Sequence, residues 1–291
     1  TGAIVAHVLR PTLSRTADDT IGMYYGGSQG SLQSVASQVW SATYKGVWHL
    51  ANAPLGTDST SNAANAISLN STAGITGMIS GGASLNGTSN YIDYGNVAGL
   101  NLGLSDITVS AWFKTSASGF APILSKSRSA DETGGRYCLY VLAGQVSFFL
   151  TGSPISGTYV KTVSSTASTY NDGNWHYAAA TVSRIGNMIL YIDGVSSGTP
   201  INFGSYSGVN LPNADKFYLG QYPDATGQAP SAGNYFGGTL DEVRVSIGTV
   251  RSPDWILTEY RNQNNPATYI TAGPRVTPVS NSFRHSVRNG V

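Results

Sequence analysis

Acid–base chemistry has little to work with in this chain. The glutamates are Glu132, Glu242 and Glu259, and none stands in the Glu-x-Asp-x-x-Glu spacing that would array acids along one strand. Glycosidic cleavage takes two carboxyl groups opposed across a cleft. Asp241 and Glu242 are neighbours, so a regular strand would send them to opposite faces. The histidines His7, His49, His176 and His285 share no pairwise spacing suited to a metal on a helix or strand. His176 follows Trp175 within an apolar run and reads as a structural hydrogen-bonding group. Cys138, the single cysteine, lies in the strand-like run Arg136–Val141 with no histidine placed to activate it. It can form no intrachain disulfide and reads as a small buried apolar side chain. These positions argue against an enzyme.

Recognition by aromatic planes and uncharged polar groups is better supplied. A lectin-like surface needs exposed rings for stacking, with amides and hydroxyls for directional hydrogen bonds. The chain has 17 tyrosines, several near predicted loops: Tyr159, Tyr170, Tyr206, Tyr222 and Tyr235. Gln221 to Tyr235 reads as one long loop, and loops of that length in compact domains are often binding loops. Its candidate ligand-binding residues are Gln221, Tyr222, Asp224, Asn234 and Tyr235. Trp112 is a further candidate. In Ile107–Lys114 it alternates with Thr108, Ser110 and Lys114, opposite Ile107, Val109, Ala111 and Phe113. It therefore either covers one sheet's outer face or offers a stacking platform.

The elements that must position these groups are mostly strands. Asn171 to Val195 reads as two strands joined by a turn at Arg184-Ile185-Gly186-Asn187, where Gly and Asn tolerate positive φ. Trp175, Tyr177 and Ala179 point one way; Ala178, Ala180 and Val182 point the other. A strand apolar on both faces is covered on both, which predicts an interior hairpin. From Ser80 to Leu150 short strands recur at the rhythm of an all-β sandwich. Further strands are predicted at Tyr159–Val163 and Lys216–Gly220. The one convincing helix is Pro253–Asn262, with Ser252 as its cap, Pro253 at its first position and Asn265-Pro266 as its stop.

Composition narrows the class. Hydrophobic residues make up 41%, enough for a sizeable core, and charged residues only 11%, well below the usual quarter or so. Gly, Ser, Thr, Asn and Tyr take their place, a profile common in secreted, cell-surface and virion β proteins. With 16 basic and 15 acidic residues and no basic cluster, nucleic-acid binding has little support. No apolar run approaches the eighteen or so residues of a membrane helix.

Four segments in order resemble laminin-G-like, concanavalin A-like jelly-roll domains. They are Ala83–Gly87 with Tyr91–Tyr94, then Ile107–Lys114, then the Asp-Gly-x-Trp-His hairpin ending Tyr-Ile-Asp-Gly, then Leu240–Val245. The Ser-Pro-Asp-Trp-Ile start of the helix is similar to the short helix that closes these modules. The resemblance implies a two-sheet antiparallel jelly-roll sandwich with one short C-terminal helix, a fold that hosts many activities. Laminarinase-type enzymes of this fold carry the acid spacing that is missing here. The resemblance also implies a structural Ca²⁺ near the sandwich edge, held by Asp58 with Asn62 and by Asp241. The alternative is that Asp58 caps a turn and Asp241 bonds loop amides.

Asp19-Thr20-Ile21 with Tyr24-Tyr25-Gly26, and then Gly46–Leu50, resemble the last strands of a short β domain that often precedes laminin-G-like domains in secreted prokaryotic proteins. The expected organisation is a strand-rich partial β domain over 1–45, the jelly roll over 46–272 and an extended tail over 273–291. Thr1 in place of Met, without a signal-peptide pattern, reads as a processed chain or a piece of a longer precursor. The expected function is a non-catalytic extracellular recognition or adhesion module binding glycan or a protein surface through edge loops. The alternative is a structural subunit of an extracellular fibre, surface layer or virion, self-assembling through the N-terminal strands and the tail. Glycoside hydrolysis ranks third.

Overall fold

A computed structural model describes residues 39–51, 55–70, 72–128, 135–151 and 160–266. The expectations for the strands before residue 39, for Glu132, His7 and His285, and for the tail lie outside the described residues. Within them, sheet A is built from β1 (Tyr44–Trp48), β3 (Thr72–Thr76), β4 (Gly81–Asn86), β6 (Ile107–Thr115), β11 (Trp175–Val182), β12 (Asn187–Ile192), β13 (Val195–Asn202) and β17 (Gly237–Ile247). Sheet B holds β2 (Ser68–Asn70), β5 (Tyr91–Asp93), β7 (Ala121–Lys126), β8 (Tyr137–Leu142), β9 (Gln145–Thr151), β10 (Val160–Ser164) and β14 (Phe217–Leu219). A separate hairpin pairs β15 (Gln221–Pro223) with β16 (Pro230–Tyr235), and the helix α1 spans Pro253–Asn264.

Sheet A runs β13-β12-β11-β6-β17-β4-β3, with β1 pairing the far half of β17; sheet B runs β10-β9-β8-β7-β14-β5-β2. Every named pairing is antiparallel. The result is a concanavalin A-like jelly-roll sandwich. The core between the sheets takes alternate residues of facing strands: Val109, Ala111 and Phe113 from β6, Leu139 and Val141 from β8, Val146 and Phe148 from β9.

The Trp-His hairpin sits inside sheet A, with β11 between β12 and β6. Ala178, Ala180 and Val182 join the main core, whereas Tyr177 and Ala179 join a second apolar cluster on the sheet's outer face. What covers that outer face is α1, whose Ile256 and Tyr260 pack there. Two-sided apolarity in the sequence is thus matched by a core on one side and a helix on the other. Ser252 caps α1 by accepting the Trp255 N–H at 3.2 Å, and Asp254 sits in its first turn, where the helix dipole favours an acid. The helix runs two residues beyond its expected end at Asn262, to Asn264.

One expectation of loop structure fails. Gln221–Tyr235 is not an irregular loop but the β15–β16 hairpin, with Gln221 opposite Tyr235 and Pro223 opposite Pro230. Its sequence has no apolar alternation because neither strand contributes to the core. The pairing is fixed by contacts with sheet B, and by a turn in which Asp224 Oδ1 accepts from the N–H and hydroxyl of Thr226.

Candidate functional site

The placement of the acids decides whether catalysis is available. In β17 the pairing with β6 jumps from Asp241 opposite Trp112 to Arg244 opposite Ser110, so one extra residue is inserted. Glu242 takes a φ of +48° at this bulge. The strict alternation expected of the two acids is therefore broken, yet they still serve different partners. Glu242 lies 2.6 Å from His49 Nδ1 and accepts from Arg244 at 2.6 Å. Burial alone would raise its carboxyl, but Arg244 and His49 overcome this and hold it at about 2. Arg244 also reaches Glu259 of α1 at 2.9 Å and lies under the Trp40 ring, 5.2 Å from its centroid. Asp241 accepts the N–H groups of Ile79 at 2.8 Å and Glu242 at 2.7 Å. Burial and the Glu242 charge push it up to about 8. Asp241 and Glu242 are 0% and 1% exposed. Neither faces a cleft where a sugar could lie between two acids.

The implied calcium ligands are occupied otherwise. Asp58 accepts four hydrogen bonds: from the N–H groups of Val47, Thr60 and Ala64 at 3.0, 2.9 and 2.9 Å, and from the Thr60 hydroxyl at 2.8 Å. Asn62 donates to Tyr44 O at 2.9 Å and to Thr60 Oγ1 at 3.0 Å. A hard cation needs converging oxygens, but these carboxylate oxygens face N–H and O–H donors instead. Among the described residues no three His, Cys, Asp or Glu side chains gather to hold a metal ion. The donor set does not fit calcium; Asp58 pins β1 to the following turn.

Trp112 offers no stacking platform. It is 1% exposed, stacked on Tyr260 of α1 at 5.6 Å, with its indole N–H given to Gln263 Oε1 at 2.5 Å. Its outward phase on β6 was legible in the sequence; the helix laid over it was not. Cys138 is buried, and burial pushes its thiol well above the ordinary range, away from nucleophilic use.

The other candidates meet on the outer face of sheet B, crossed by the β15–β16 hairpin. Ser125 of β7 donates to Gln221 O at 2.6 Å, and the Tyr218 hydroxyl of β14 donates to Gln228 O at 3.1 Å. Gln221 is fully buried beneath the hairpin and donates to Ser231 O at 3.1 Å, so it is a brace and not a contact surface. Tyr222 leans toward β8 and β9, with its ring 5.5 Å from Phe120 and 6.2 Å from Phe149. Its hydroxyl donates to Arg128 O at 3.0 Å. Tyr235 leans the other way, 6.4 Å from Tyr91 of β5, and Tyr91 in turn lies 6.0 Å from Tyr218. Asn234 reaches Ser231 Oγ at 3.3 Å. Asp224 is spent on the turn, and those hydrogen bonds lower its carboxyl. Thus Tyr222 and Tyr235 flank one hairpin on opposite sides, while Trp112 belongs to the other sheet.

Sequence reasoning passed over Tyr91, Phe120, Tyr140 and Phe149. Tyr91 carried a signal: it precedes Ile92 in a strand, so an inward Ile92 places Tyr91 outward. Its meeting with Tyr235 carried none, because 144 residues of chain separate them.

A laminin-G-type profile of the concanavalin A-like lectin/glucanases superfamily matches residues 86–257, more than half of the chain. The chain belongs to this superfamily. No curated protein sequence matches it. Among solved structures, this laminin-G-type domain is similar to the binding domain of Paraclostridial Mosquitocidal Protein 1, with a TM-score of 0.59 and 12% identity over 77% of this chain and 53% of that one. It is also similar to the receptor binding domain of botulinum neurotoxin D, at 0.54 and 13% over 76% and 53%. The botulinum neurotoxin serotype D ligand binding domain in complex with N-acetylneuraminic acid gives 0.56 and 14% over 79% and 53%. The chain spans about half the length of these structures, and at such identity the likeness is one of fold.

Proposed function

We propose that this laminin-G-type domain is a non-catalytic recognition module that works outside the cell and engages a glycan or a protein surface. The contact face in this reading is the outer side of sheet B around the β15–β16 hairpin. One contrast carries the proposal. The acids of β17 are buried and tied to His49, Arg244 and loop amides, whereas the hairpin holds half-buried tyrosines on both flanks. Support for extracellular work comes from the low charge, the superfamily and the fold neighbours. Those neighbours are toxin binding domains, one in complex with N-acetylneuraminic acid and another with rat synaptotagmin II. No described helix is long and apolar enough to cross a membrane. The test is binding of the labelled chain to glycan arrays and to a panel of cell-surface glycoproteins before and after enzymatic deglycosylation. Retention on either surface supports the module; a chain that binds neither, or that hydrolyses laminarin, agar or sialosides, refutes it.

A further inference from the structure

The two flanks of the hairpin differ in what they leave open. On the β8–β9 flank, Tyr222 has already committed its hydroxyl to Arg128 O, and its ring is closed in by Phe120 and Phe149. On the β5 flank, Tyr91 and Tyr235 are half-exposed, tilted 40° to each other, and neither phenol hydroxyl has a hydrogen-bond partner among the described residues. Beside them lies a small lattice of carboxamides. Asn70 is the register partner of Tyr91. It donates to Ser89 O at 2.9 Å and accepts from Asn90 Nδ2 at 3.2 Å. Asn86 Oδ1 accepts the N–H groups of Thr88, Ser89 and Asn90 at 3.0, 2.9 and 3.0 Å, which closes the β4–β5 turn. The same turn is bound to the end of β16, since Gly87 N–H donates to Phe236 O at 3.1 Å. Rings and amides therefore form one continuous surface, held by main-chain bonds on both sides.

Resting on the recognition reading above, we propose that this surface is a binding site for an uncharged sugar. The apolar face of a pyranose suits the tyrosine rings, and its hydroxyls suit the free phenols and the outward amide N–H groups. Each of these amides has a second N–H beyond the bond that positions it, and those bonds fix the side chains before a ligand arrives, which lowers the ordering cost of binding. Charge argues against an acidic sugar here. Tyr91, Tyr235, Asn70, Asn86 and Asn90 are all neutral, and the nearby Lys216 is held 3.0 Å from Asp93. A sialic acid carboxylate would meet no fixed cation among these residues. This departs from the fold neighbour seen with N-acetylneuraminic acid.

The experiment uses the whole chain on an array of neutral hexose and N-acetylhexosamine oligosaccharides alongside sialylated ones, followed by calorimetry with the best-bound neutral oligosaccharide. The expected result is binding to neutral members. Tyr235→Ala and Tyr91→Ala should each weaken it at least tenfold, and Asn70→Ala several-fold. Ile185→Ser, in the exposed turn between β11 and β12 of the other sheet, should leave it within twofold. Circular dichroism and melting curves confirm that each variant is folded; Tyr91→Phe and Tyr235→Phe, which remove only the hydroxyls, serve if an alanine variant is not. Preference for sialylated glycans, or undiminished binding by the Tyr91 and Tyr235 variants, overturns the assignment while the recognition module stands. Binding to deglycosylated proteins but to no glycan does the same. Binding to nothing overturns both.

Discussion

Removing the guanidinium of Arg244 should be among the most damaging single changes available to this domain. Arg244 is 7% exposed and serves two carboxylates, the buried Glu242 at 2.6 Å and the half-buried Glu259 at 2.9 Å. Arg244→Met keeps much of the packing under Trp40 but takes the cation from both acids, leaving only His49 beside Glu242 and the Tyr177 hydroxyl and Trp255 indole N–H on Glu259. Stranding a buried partner costs about 3–5 kcal/mol. At roughly 2–4 °C per kcal/mol for a domain of this size, the melting temperature should fall by about 6–20 °C. The loss should also depend on pH. The Glu242 carboxyl of the wild type is held at about 2, below its ordinary 4.5, so its contribution is present above the ordinary value and fades as pH drops toward 2. Without Arg244 that depression is lost, so the gap between variant and wild type should narrow at low pH. Adding Glu259→Gln to Arg244→Met should restore part of the stability, since one charge left without its cation is then gone. Urea unfolding at several pH values reads all three effects. A loss below about 1 kcal/mol, or a gap indifferent to pH, would refute the claim that this cluster is a tightly coupled ionic tie between β17 and α1.

Other consequences follow from the same geometry. Trp112→Ala should cost about 3–5 kcal/mol by emptying the space under α1, and Trp112→Phe less, since it loses mainly the bond to Gln263; denaturant midpoints separate the two. Asp241 is raised from 3.8 to about 8, so its contribution is fully present below its unfolded value and is lost as pH rises toward 8. Asp241→Asn should accordingly flatten the decline of melting temperature between pH 5 and 8, and an unchanged slope would count against the raised carboxyl. His176 is raised by its hydrogen bond to Asp193 against the opposing effect of burial, with Asp172 at its other nitrogen. Its share of stability should be complete below its unfolded value and vanish as pH climbs through the raised one, a step that His176→Asn should erase in the same melting series. Calcium or a chelator should leave calorimetric heat and melting temperature unchanged; a calcium-dependent rise would mean that Asp58 releases its amide donors to the ion.

Local chemistry made some features legible before any coordinates. Most of the helix over Pro253–Asn264 was readable because its start is marked by Ser252 as cap with Pro253 at the first position and its stop by Asn265-Pro266, all in its own stretch of chain. The interior place of β11 was readable because apolar side chains fill both of its alternation phases, and period-two geometry leaves no other way to bury them. Trp112 was readable only as outward from the core; whether solvent or another element lay there depended on a helix about 150 residues later in the chain.

Tertiary structure alone decided the rest. Gln221–Tyr235 has no periodicity because its partner is the outer face of sheet B, so its own residues could not announce a hairpin. The bulge at Glu242 breaks an alternation that the sequence would have continued, and the direction in which each acid is shifted follows from burial, with Arg244 and His49 acting on Glu242 and the Glu242 charge on Asp241; of these His49 lies far off in the chain. The meeting of Tyr91 with Tyr235 likewise exists only once β5, β14 and the hairpin are side by side. A strand's own residues set which faces are apolar; what lies against each face is set by distant chain, and the candidate site is made of such distant pairs.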